Sequence, residues 1–62
     1  MDTEKVTELK EKLARLKGEL KEHASQVADP KCAALCETSA EALGGLETAF
    51  QHYLAKEETA WQ

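Results

Sequence analysis

Residues 6–27, VTELKEKLARLKGELKEHASQV, carry Val6, Leu9, Leu13, Leu16, Leu20, His23 and Val27 at successive intervals of 3, 4, 3, 4, 3 and 4 residues. That spacing is the a/d seam of an α-helix that lies lengthwise against another helix. It defines an architecture ahead of an activity, because helices packed by heptads serve scaffolds, RNA binders, metal stores and regulators alike.

The seam ends at Asp29-Pro30. Proline lacks the amide that a helix interior needs and pushes the residue before it out of the α region, whereas Asp at N-cap followed by Pro at N1 is a favoured helix start. Continuing the first seam through the proline would put Ala34 and Glu37 at core positions. The second segment has a seam of its own in Cys32, Cys36, Ser39, Leu43, Leu46, Phe50 and Tyr53, displaced by two residues. The reading is therefore two helices, about residues 3–26 and 30–60, joined by a turn at about 27–29. A link so short makes them antiparallel neighbours in a single domain spanning residues 1–62.

The two helices differ in what they need to bury. Helix 1 is apolar only along its seam, which is flanked by Lys5, Lys10, Lys12, Lys17 and Glu19, and reads as an outer helix. Helix 2 adds Ala33, Ala40 and Leu54 on one side of its seam and Leu35, Ala42 and Ala49 on the other, a face too wide for one partner. A chain of 62 residues is also short. Below about 70–80 residues a lone core rarely supplies more than ~3–5 kcal/mol, and neither a disulfide framework nor a zinc-finger array is present to supplement it. The expected fold is all-α, an antiparallel helical hairpin that dimerises into a four-helix bundle, with Ala40, Leu43, Leu46, Ala49, Phe50 and Tyr53 at the dimer interface.

Charge fits such an arrangement: residues 1–28 hold six basic and six acidic groups, residues 29–62 two basic and six acidic. Lysines of helix 1 can face glutamates of helix 2 and set their relative orientation. Gly44-Gly45 lies mid-helix, where each glycine costs about 1 kcal/mol relative to alanine. It is either tolerated at the surface or permits close backbone approach within a small-residue patch of Ala40, Ala42, Gly44, Gly45 and Ala49.

Residue types with chemistry gather beside the turn. In a hairpin turning near residue 29, positions whose numbers sum to about 59 face each other, which sets His23 across from Cys36 and Val27 across from Cys32. Cys32 and Cys36, spaced i, i+4, project from one side of helix 2, and Cys32 falls in its first turn, where the helix dipole favours a thiolate. Packing is the first reading of the pair, since free cysteine behaves as a small buried hydrophobe. The chemical alternatives are a Zn²⁺ or Cu⁺ site with His23, Cys32 and Cys36 as ligands, or a redox-responsive thiol. A disulfide within the helix is disfavoured, because parallel Cβ vectors would strain it. Cys32-Ala33-Ala34-Leu35-Cys36 is similar to the Cys-x-x-x-Cys helices of copper-storing four-helix bundles. Those line their cores with many cysteines, whereas Ser39, Leu43 and Leu46 take the later positions here, and the chain is not placed among them.

No catalytic constellation, in particular no Ser/His/Asp set, HExxH run or inward carboxylate pair, is found, so neither enzymatic activity nor an organic cofactor is expected. His52 reads as a solvated residue, and Trp61 as an end-cap aromatic or an anchor for another protein on a C-terminal overhang. A charged amino terminus with no apolar run disfavours secretion and membrane spanning, and points to a cytoplasmic chain with reduced thiols. Net charge of −4 counts against nucleic acid. The function expected is that of a small homo-oligomeric hairpin acting as a structural or protein-interaction module. The alternatives are the thiol or metal module, and an RNA-binding hairpin dimer resembling small plasmid regulators in architecture and length.

Overall fold

The computed structural model describes residues 3–58, which form two α-helices, α1 (Thr3–Gln26) and α2 (Pro30–Glu58), packed on each other as a hairpin. The end of helix 2 near residue 60 and the segment around Trp61 lie outside the described residues. No strand occurs among the described residues, and no described helix is long and apolar enough to cross a membrane.

The turn is built as its residues dictate. The Val27 amide donates to the His23 carbonyl at 3.0 Å, closing the last turn of α1, and the Ala33 amide donates to the Asp29 carbonyl at 3.0 Å, opening α2. Oδ1 of Asp29 accepts from the Lys31 amide, also at 3.0 Å, so one otherwise unpaired amide of the helix start is capped by the side chain. Pro30 sits at the first helical position, where its missing amide costs nothing. Replacing Asp29 by Ala removes the cap and is expected to lower stability by about 0.5–2 kcal/mol in urea titrations. Pro30→Ala is expected to cost less, and an unaltered midpoint in Asp29→Ala would deny the cap its role.

How the helices face each other departs from the expected seam mainly on α1. Along α1, Val6, Leu13 and Leu20 are half-buried with Lys10, Lys17 and Ala24, while Leu9, Leu16 and His23 are exposed. Along α2, Cys36 and Ala40 are buried, and the seam residues Cys32, Ser39, Leu43, Phe50 and Tyr53 are half-buried with Glu47 and Leu54, while Leu46 is exposed. About half of the α1 stripe thus turns away from the neighbouring helix, whereas Leu46 is the one exposed member of the α2 seam. The reason lies in the lysines. Their methylene stems serve as apolar surface while the ammonium stays polar. Lys17 runs over Gly44, where an added Cβ would meet its Cδ at 3.8 Å, and its Nζ reaches Oε1 of Glu47 at 2.9 Å.

This ion pair bridges the two helices along an open groove that Lys10, Gly44, Thr48 and Gln51 also line, with side chains 30% and 23% exposed, and Oε1 of Glu47 is closed off from solvent. The surface pairs Lys5–Glu8 and Lys12–Glu8, at 3.7 and 3.5 Å, are more than half exposed and contribute little. Hydrogen bonding from Lys17 holds the Glu47 carboxyl below its ordinary value against the opposing effect of burial, with the charges of Lys17 and Lys10 adding to the pull. A carboxyl whose folded pKa is lowered stabilises the fold above the unfolded value and loses that contribution as pH falls through the folded one. Wild type is therefore expected to lose more of its urea midpoint than Glu47→Gln between about pH 6 and about pH 3. Parallel losses in the two proteins would show the pair to be without weight.

The small residues of α2 do not share one face. Ala40 is closed off, Gly44 lies under Lys17, and a Cβ on Gly45 would meet nothing within 4 Å.

Candidate functional site

The hairpin measures 49 × 17 × 12 Å, so its depth is that of one helix. A single layer leaves each helix with two flanks, and these are unlike. One carries grooves lined by Thr7, Lys10, Glu11 and Gln51 near the open end and by Lys21, Glu37 and Glu41 nearer the turn. The other carries a groove of about 330 Å³ lined by Val6, Ala49, Phe50 and Tyr53. Leu9 and Leu16 follow Val6 by 3 and 10 residues, and Leu46 precedes Ala49 and Tyr53 by 3 and 7, so helical register sets all three leucines on the flank of that apolar groove. Their exposures are 38%, 46% and 49%, and Leu35, farther round α2, is 65% exposed.

Of the residues expected at a self-association surface, Leu46 and Ala49 are exposed on this flank, and Tyr53 and Phe50 are half-buried along it. Leu43 is half-buried and Ala40 only 1% exposed, so their burial is already supplied within the hairpin. Leu9 and Leu16 join the open face from α1. The heptad itself was the signal for them.

At the turn, the same flank ends in three donor side chains. His23 belongs to the last turn of α1, and Cys32 and Cys36 to the first two turns of α2. The antiparallel register brings them together as the numbering sum predicts: the imidazole nitrogen and the two Sγ atoms lie within 4.8 Å of one another. His23 is exposed, Cys32 half-buried and Cys36 buried, so the cluster grades from solvent into the core. Burial, then the adjacent Cys32 sulfur and the Glu37 carboxylate, push the Cys36 thiol up from its ordinary value. Both cysteines are free. His52 is exposed and belongs to no such cluster among the described residues.

Comparison with protein-family models, curated protein sequences and solved structures gave no match for this chain. Its reading rests on these two features, the open apolar face and the donor cluster.

Proposed function

We propose that the chain is a self-associating helical-hairpin module, a homodimer closed as a four-helix bundle, with a structural or protein-interaction role rather than a catalytic one. The observation that carries this reading is the open flank toward which the α1 stripe is rotated, with Leu9 and Leu16 exposed on α1 and Leu46 exposed on α2. In a four-helix bundle each helix has two neighbours, and its stripe points between them, toward the bundle axis. A hairpin stable by itself would instead aim both stripes at its one internal contact. A second copy laid on the flank of Leu9, Leu16, Leu46 and the Val6–Tyr53 groove would supply the missing layer.

Size supports the same reading, since Cys36 and Ala40 are the only buried residues among those described and so small a core leaves little margin. A cytosolic setting suits two free thiols. The net charge of −4 favours a protein partner over a nucleic acid. Sedimentation equilibrium tests the proposal directly: a dimer is expected at micromolar concentration, with a melting temperature that rises with protein concentration. A fully helical monomer at high micromolar concentration would overturn it.

A further inference from the structure

We propose that His23, Cys32 and Cys36 bind one thiophilic d¹⁰ metal ion across the turn of the hairpin, Cu⁺ in preference to Zn²⁺. Three independent observations converge on this. The first is geometric. Metal–sulfur bonds of about 2.3 Å and metal–nitrogen bonds of about 2.0–2.1 Å place donors of one ion roughly 3.5–4 Å apart. Side chains whose donor atoms already lie within 4.8 Å need only small torsional adjustment to close on a common centre.

The second is a break in pattern. Every member of the seam Val6, Leu9, Leu13, Leu16, Leu20, His23 and Val27 is apolar except one. The imidazole falls at the step of that seam where a ring nitrogen comes within 4.8 Å of both thiol sulfurs. A local rule broken where donors gather is what a functional site looks like from the sequence.

The third is how the site is held. Its donors come from both helices, so an ion there ties the end of α1 to the start of α2. Cys36 is anchored in the core and Cys32 half-sheltered, while His23 stands on the solvent side and leaves a path for the ion to enter.

The ion follows from donor type and number. Thiolate and imidazole select Cu⁺ and Zn²⁺ among biological cations, and hard cations such as Mg²⁺ and Ca²⁺ require oxygen. Structural zinc is four-coordinate, and the group contains three donors among the described residues. Cu⁺ is satisfied by two or three soft donors in a plane. Binding displaces one proton from each thiol to solvent, the neutral imidazole contributes a lone pair, and neither metal nor sulfur changes oxidation state. All three donors belong to one chain, so the site is complete in a monomer and stands whether or not the hairpin pairs.

The full chain, kept reduced and free of oxygen, is titrated with Cu⁺ in competition with a chromogenic chelator, and separately with Zn²⁺. Native mass spectrometry and histidine ring resonances give the readout. One Cu⁺ per chain is expected, with the His23 ring shifted, the His52 ring unmoved, and a higher melting temperature. His23→Ala alters an exposed side chain and keeps the helical circular-dichroism spectrum. Because loss of groups that merely orient a ligand already costs 10–100-fold in affinity, its Cu⁺ affinity is expected to fall at least about 10-fold. Cys32→Ala is expected to fall further while remaining helical. Failure to retain Cu⁺ against the chelator, equal affinity in wild type and His23→Ala, or tighter retention of Zn²⁺ than of Cu⁺ would each overturn the assignment.

Discussion

Leu46→Asp is expected to leave the hairpin helical and to abolish its self-association. Leu46 is 49% exposed in the single chain, so a carboxylate there stays hydrated and the helices lose little internal packing. In the proposed bundle the same position is covered by a second copy, and two-fold symmetry buries the charge twice. Unpaired buried charge costs several kcal/mol, and roughly 3–5 kcal/mol corresponds to a dissociation constant raised at least about 100-fold. Thr38→Asp adds the same charge at an exposed residue on the side of α2 away from α1, and is expected to leave the dimer intact. Sedimentation equilibrium separates the two. A Leu46→Asp dimer as tight as wild type would place the interface elsewhere.

Leu43→Asp is expected to do more, unfolding the chain instead of merely dissociating it. Leu43 is half-buried in the helix-facing row with Ala40 and Phe50, and its side chain stands one turn before Glu47. An aspartate there is desolvated against α1 and repelled by a like charge at i, i+4. The cost of about 3–5 kcal/mol for an uncompensated buried charge equals the ~3–5 kcal/mol that a core of this size supplies. Far-ultraviolet circular dichroism should therefore show loss of helix in Leu43→Asp under conditions where Leu46→Asp remains helical. Identical melts for the two variants would mean that the two rows of α2 are not distinguished as described.

The contrast between Leu43 and Leu46 marks the border between local and tertiary information. Helix 1 over residues 3–26, the turn, and the start of helix 2 at Pro30 were legible because each depends on local chemistry: a 3-4 spacing, a proline that cannot continue a helix, and an aspartate that caps one. Antiparallel packing followed from the length of the turn. Pairing of His23 with Cys36 followed in turn, since in a hairpin the register is simple arithmetic from the turn outward.

Which half of the α1 stripe faces the neighbouring helix, and that Leu46 alone of the α2 seam stands exposed, were not legible. Val6, Leu13 and Leu20 belong to two rows at once, one completed by Leu9, Leu16 and His23, the other by Lys10, Lys17 and Ala24. Hydrophobicity alone selects the first row. In the folded hairpin the second row turns inward, because the stem of Lys17 covers Gly44 and its ammonium meets Glu47 at 2.9 Å, an attraction between residues thirty positions apart. The sequence by itself thus determined the helices, their turn and the partners across it, all of which depend on neighbours along the chain. The tertiary structure alone decided the rotation of each helix about its axis, because that angle balances side-chain contacts between two helices that no periodicity within either one can weigh.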